Sequence, residues 1–435
     1  MNADVRAMKT PAEQALSAAF VAARSSLPGK AGVTALRDDA FRRFDARGLP
    51  HRRVEEWKYT DLRTLMRAAF PLASAPDAAA KNRAKNAGSI LSVDARRLVF
   101  VDGAFVAELS DLSPEEGLSI TSLAAGLAKG DPLVSQLGKT IETDDLAVAL
   151  NTAFMADGAA IRVAAGSVLK RPIHLVFAAG SETPSSAFIR SLVVIEKGAQ
   201  VTLLESHESG GNQVNAALEL VVGEGAWVDH VKTTRAKALH VSTLMASLGA
   251  NVAFNSFSFN ADAHLMRNQM LVRFAGEGTK GAIRGVSLLK DKEHVDTTLL
   301  IDHAKGHCES REQFKSVLDN ESRAVFQGKI VVQPHAQKTD AKMMTRALLL
   351  SDEAEADNKP ELEIFADDVV CGHGATTSAP DESLKFYLMS RGISEKESEA
   401  LLVQAFVSET IEEIANEHLR EALMFAALKW LRVRS

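Results

Sequence analysis

Thiols are nearly absent from this chain. Only Cys308 and Cys371 occur in 435 residues, too few for a disulfide framework, and no CxxC or zinc-ribbon spacing joins them. A reducing, cytoplasmic home is the expectation. An excess of positive charge is missing too, since 50 Lys and Arg stand against 56 Asp and Glu for a net charge of −6. Nucleic acid and anionic lipid are bound through clustered cations, so neither is an expected partner. No apolar run approaches the roughly 20 residues of a membrane span, and Asp4 and Glu13 interrupt the stretch where a secretory signal needs an unbroken apolar core. Neither a place in the membrane nor export by that route is expected.

Catalytic signatures are equally scarce. There is no GxSxG elbow, no HExxH and no dithiol motif, which leaves hydrolase, zinc-protease and dithiol-redox readings without support. Gly138-Lys139-Thr140 resembles the end of a phosphate-binding loop, but Leu133 stands where the leading glycine must be. No ATP site of the chain's own is expected. Gly276-Glu277-Gly278-Thr279-Lys280-Gly281 fits the letters GxGxxG, yet Ala282 to Leu289 reads as strand, whereas a dinucleotide site needs a helix there. A turn is the expectation.

What is present points to a soluble chain of two or three domains, 46% apolar and 24% charged. Residues 1–158 read as mainly helical with one hairpin. Thr10-Pro11-Ala12-Glu13 combines a capping box with proline at the first helical position, and a second helix fills about 31–47 until Gly48-Leu49-Pro50 stops it. Thr60 is placed to cap a short helix. Residues 71–88 lack an apolar stripe and read as a mobile linker. Asp102-Gly103 between two apolar runs predicts a type I′ hairpin, and Thr121, Asp131 and Thr143 are expected N-caps further on.

From 159 to 378 the pattern becomes short apolar β runs broken by turns. Glycine steps at Gly166, Gly198, Gly225, Gly249, Gly276, Gly306 and Gly328 recur on the scale of one coil of a β-solenoid. Sandwiches and barrels also place turns between many short strands, so the β architecture stays open on this ground alone. Residues 379–435 are helical again, with Asp381 as a cap, Gly392 as an αL stop, a second capping box at Ser394 and Glu397, and a stripe of Val403, Val407, Ile411 and Ile414.

Two groups carry metal-ligand chemistry. His303, His307 and Cys308 read as polar turn residues, because on a strand Cys308 faces away from the histidines, and His335 reads as a partly exposed coil-edge histidine. Cys371-Gly372-His373 differs: in an extended segment the thiol and imidazole share a face, and both suit borderline-soft metals. Either they are ligands, or Cys371 is a buried free thiol beside a hydrogen-bonded histidine. As ligands they would be two of about four, leaving another chain or exogenous thiols to complete the set.

Several strings together resemble one family: Glu56-Trp57-Lys58-Tyr59-Thr60-Asp61, Leu150-Asn151-Thr152-Ala153-Phe154, Gln337-Lys338-Thr339-Asp340, Lys359-Pro360-Glu361-Leu362-Glu363-Ile364, Cys371-Gly372-His373-Gly374-Ala375-Thr376, and Ser390-Arg391-Gly392-Ile393. From about residue 50 onward the chain is similar to the SufB/SufD family of iron-sulfur cluster assembly, in its SufD type. The resemblance implies a mainly β chain, a right-handed parallel β-helix flanked by N-terminal and C-terminal α-helical regions. It implies a non-catalytic scaffold subunit of a SufBCD complex, paired with SufB through the β-helix and bound to the ATPase SufC through the C-terminal helices, with a homodimer possible in isolation. It implies His373, and beside it Cys371, as ligands of a transient iron-sulfur cluster shared with SufB. The competing readings are a carbohydrate-active parallel β-helix enzyme, which would need clustered acids or bases along one face, and a solenoid that only tethers partners.

Overall fold

The computed structural model describes residues 8–434 apart from 89 and 91. Helices α1 (Pro11–Ala23), α2 (Ala31–Arg47), α3 (Leu62–Leu65) and α4 (Ala78–Ala84) precede the hairpin of β1 (Arg96–Val101) and β2 (Ala104–Phe105). Then come β3 (Leu118–Ser122), α5 (Leu123–Lys129) and α6 (Leu146–Phe154). The β block runs through β4 (Ala159–Val163), β5 (Ile173–Ala178), β6 (Ser186–Ile195), β7 (Gln200–Glu208), β8 (Gln213–Val222), β9 (Trp227–Leu248) and β10 (Ala253–Phe274). It continues with β11 (Lys280–Leu289), β12 (His294–His303), β13 (Glu309–Leu318), β14 (Arg323–Val332), β15 (Asp340–Leu349), β16 (Glu355–Ile364) and β17 (Val370–Ser378). Helices α7 (Glu382–Ser390), α8 (Glu395–Ile411) and α9 (Glu417–Arg434) follow.

The β block is a parallel β-solenoid of about 8 turns. Each strand pairs in parallel with the strand one full turn on, so two sheets face each other. One contains β5, β7, the first half of β9, the first half of β10, β11, β13, β15 and β17. The other contains β4, β6, β8, the second halves of β9 and β10, β12, β14 and β16. One rung carries Gln200, Trp227, Ala253, Lys280, Glu309, Asp340 and Val370 in unbroken register. Strand residues alternate between the solenoid's interior and its outer faces. Val201, Val228, Phe254, Ile283, Ile330 and Met343 fill the interior.

Each outer face is covered by helices. On the first sheet, Leu204, Val231, Phe257, Val286 and Val317 pack against Val403, Val407, Ile411, Leu419 and Leu423 of α8 and α9, so the apolar stripe expected after Ser394 is buried against the β block. On the second, Phe188 and Val241 meet Leu16, Phe20, Phe44, Trp57 and Phe154. Trp57 is the anchor of a strap laid across several coils. Arg267 lies over its ring at 3.9 Å and donates to Asp296 at 2.6 Å and to the Glu56 carbonyl at 2.6 Å.

Several local expectations need correction. Thr60 caps no helix: its hydroxyl donates to the buried Asp296, and Asp61 caps α3. Residues 71–88 are no bare linker, because Asp77 caps α4, whose Ala80 and Ala84 are buried against Val99 and Val176. Alanines give a helix too small an apolar signal to register as a stripe. Ser122 and Asp145, not Thr121 and Thr143, cap α5 and α6. Gly328 is no corner but a strand residue, and a Cβ there would come within 2.2 Å of Met343 Sδ. His303 is buried against Phe274, not at a turn. The GxGxxG string is the expected turn, with Gly278 at φ 70. The Gly138-Lys139-Thr140 string holds an anion, but it is the chain's own: the Gly138 amide and Thr140 hydroxyl donate to Glu219, which also pairs with buried Arg190.

Burial of imidazoles sets a pH dependence. His174, crowded by burial and by Arg97, and His303, by burial alone, are both held down to about 4. An unfolded histidine takes up its proton near 6.5. Between 6.5 and 4 the unfolded chain therefore binds more protons, and stability falls as pH falls, by about 3 kcal/mol per site once pH 4 is reached. Denaturant midpoints measured across this range should drop with acidification, and the double variant His174→Gln, His303→Gln should show a shallower drop.

Candidate functional site

The solenoid ends at β16 and β17. These strands pair back to β14 and β15, and no further coil follows them among the described residues. The corner that leads into β17 is built by the Gln337-Lys338-Thr339-Asp340 string. Lys338 takes the left-handed conformation at φ 62, and its amide donates to the Asp368 carbonyl at 2.6 Å. The Gln337 side chain accepts from the Asp368 amide at 2.9 Å, and Lys338 Nζ pairs with the Asp368 carboxylate. The turn before Cys371 is thereby fixed from the coil below.

On β17, Cys371 lies opposite Ala341 and His373 opposite Met343. Ala341 and Met343 both belong to the solenoid's interior. The thiol and the imidazole therefore share the inner face of the last strand, at the mouth of an uncapped core. Cys371 is half-buried and packs on that core, whereas His373 is exposed. Burial pushes the Cys371 thiol up, and Asp340 and Glu312 add to the shift against a backbone hydrogen bond from Ala341. Glu312 sits inside the same column, one rung below Met343, where burial pushes its carboxyl up to about 8.

Cys308 is apart from this mouth. It is buried at a corner, with Sγ 3.3 Å from the Gly276 carbonyl and 3.4 Å from that of Gly306; His307 occupies the left-handed corner position before it. His335 is exposed in the turn between β14 and β15. Among the described residues no three of the histidines, cysteines and acidic residues lie close enough to hold a metal ion. What the mouth offers is a soft sulfur and a borderline nitrogen, half of a four-ligand set.

Sequence reading missed the apolar surface around this end. Ile364, Phe365 and Val370 are exposed at the last corner. Helix α7 buries none of its residues and leaves Leu384, Phe386, Tyr387 and Met389 exposed, Phe386 at 73%. The spacing of these four residues along one short helix was the available signal. No helix among the described residues is long and apolar enough to cross a membrane.

A parallel β-solenoid with helical flanks and an open final coil defines the class of the molecule. Residues 177–406 match the family profile described as the SUF system FeS cluster assembly, SufBD core domain, and residues 13–175 match the SufBD protein N-terminal region. The chain is 33% identical to an iron-sulfur cluster assembly SufBD family protein of Synechocystis, over 84% of each chain. It is 31% identical to the iron-sulfur cluster assembly protein SufD of Escherichia coli, over 87% of this chain and 88% of that protein. It is 27% identical to the chloroplast protein ABCI7 of Arabidopsis thaliana, over 91% of this chain and 85% of that one. The chain belongs to the SufB/SufD family of iron-sulfur cluster assembly.

The two thiols should differ in reactivity. In the native protein a small alkylating reagent should modify Cys371 and spare Cys308 until the chain is unfolded. The Cys371 rate should keep rising beyond pH about 8.5, where an ordinary cysteine levels off. Mass spectrometry of the labelled peptides reads both outcomes.

Proposed function

We propose that this chain is a non-catalytic scaffold subunit of a cytoplasmic SufBCD complex, on which an iron-sulfur cluster is assembled as cargo shared with SufB. Cys371 and His373 on the inner face of the last, uncapped strand carry this reading. They supply two of the ligands a nascent cluster needs, and a docked chain supplies the rest.

The two terminal strands differ in a way that favours β17 as the docking edge. In β16, Pro360 lacks an amide hydrogen and Asp357, Lys359, Glu361 and Glu363 crowd the strand, the features that keep an exposed edge from pairing. In β17 there is neither proline nor any Lys, Arg, Asp or Glu from Val370 to Ser378. Its free amides and carbonyls suit the edge of a homologous solenoid such as SufB. An isolated chain can meet a second copy there. For SufC, the support is the unpartnered apolar side of α7; α8 and α9 are committed to the solenoid. ATP chemistry then belongs to the partner, in keeping with the occupation of the Gly138-Lys139-Thr140 string by Glu219.

Two variants test the two interfaces separately. His373→Ala, co-produced with SufB and SufC, should leave the complex intact but lower its cluster content, read as bound iron and sulfide. A loss of roughly tenfold is expected, the size that removing even an outer-shell partner can cause. Undiminished cluster content would remove the ligand role and leave a solenoid that only tethers partners. Phe386→Asp should leave the fold and SufB pairing unchanged, because Phe386 touches no core, while weakening SufC binding by at least about tenfold. Unaltered SufC affinity would place that contact elsewhere.

A further inference from the structure

The solenoid interior is apolar over much of its length, but one stretch of β7, β9 and β10 is densely polar. There the inward positions carry Glu205, His207, Lys232, His240, Ser242 and Asn268, all at most 4% exposed. Glu205 accepts from His230 Nε2 at 2.8 Å and from His207 Nε2 at 3.2 Å. Lys232 Nζ donates to Ser242 Oγ at 2.9 Å and to Asn268 Oδ1. His240 Nδ1 meets Ser209 Oγ at 2.8 Å.

The network is incomplete. His207 Nδ1, His240 Nε2 and Asn268 Nδ2 are buried without a hydrogen-bond partner among the described residues, and the Lys232 ammonium has three N–H groups for two acceptors. A buried polar atom left unpaired costs about 1–3 kcal/mol. Beside His207 and Lys232 lies a cavity of about 10 Å³, lined also by Glu205, Ser242, Ser191 and Leu244 among others. That volume is about what one water needs, and a water also needs two to four polar partners. An apolar ligand does not fit so small a space.

We propose that this cavity is a built binding site for a single water molecule, which accepts from the third Lys232 N–H and donates to Glu205 or His207. The water bridges the ammonium to the carboxylate side of the network, so that neither charge faces bare hydrocarbon. Burial lowers Lys232 to about 8, while Glu205 partly offsets that. For Glu205 itself, burial raises the carboxyl, but the hydrogen bonds from His207 and His230 outweigh it. The core of this solenoid thus holds a hydrated ion pair on a rung where a neighbouring coil holds Leu175 and a later one Phe314.

A high-resolution crystal structure of the full chain should show one ordered water within roughly 2.7–3.2 Å of Lys232 Nζ and within the same distance of Glu205 or His207. An empty cavity, or Lys232 moved into direct contact with Glu205, would overturn the site. Oxygen-17 relaxation dispersion in solution provides a second reading: the wild-type chain should hold one more long-lived water than Lys232→Met. Should that variant fail to fold, Ser242→Val, which grows into the same space, serves in its place. Equal counts in the wild type and the folded variant would sink the proposal.

Discussion

Parallel hydrogen bonding of each coil to the next, in register, is the constraint on which the rest of this molecule depends. It makes every inward position part of a column, so that Ala341 and Met343 dictate where Cys371 and His373 point. It also demands a left-handed residue at the same corner of successive coils: Gly198, Gly225, Asn251, Gly278, His307 and Lys338 all have φ between 55 and 70. Gly276, two residues before the Gly278 corner, is small for a different reason: a Cβ there would come within 2.1 Å of the Ala250 nitrogen. The same ladder has an end at β16 and β17, which pair back to β14 and β15 and, among the described residues, to no further coil.

The family strings divide by what they do for this ladder. Glu56-Trp57-Lys58-Tyr59-Thr60-Asp61 is a clamp, tied to Arg267, Asp296 and Gln327 on successive coils. Asn151 serves the same end, its amide donating to the carbonyls of Ile189 and Asn215. Gln337 and Lys338 set the final corner. The stretch from Cys371 instead places an exposed His373 at the mouth, which separates it from the strings that tie coils together.

How far the fold was legible follows from which interactions are local. The capping box at Thr10, the Asp102-Gly103 hairpin and the Val403 to Ile411 stripe are set by neighbours in sequence and were readable. The coil repeat was only half visible, because Asn251, His307 and Lys338 do the work of glycine in the later coils. Gly328 misled for the converse reason: it is small to admit Met343 from the next coil, not to turn the chain. Thr60 and His303 were misplaced because their partners, Asp296 and Phe274, come from strands that only the three-dimensional stack brings near. For the candidate site, the i, i+2 geometry was legible, but not that this strand would be the last one.

That position has a chemical consequence. A thiol becomes a metal ligand as the thiolate, and at the mouth burial, Asp340 and Glu312 all keep the proton on Cys371. On the proposed reading, an isolated chain therefore presents a poor sulfur ligand. A cation brought to the mouth reverses the balance, since its field favours the thiolate that the acidic surroundings oppose. Covering the mouth acts in the same direction once the cation is in place, because excluding water strengthens the attraction between thiolate and metal. On the proposed reading, ligation by Cys371 and closure of the last coil would thus be coupled, each requiring a second chain.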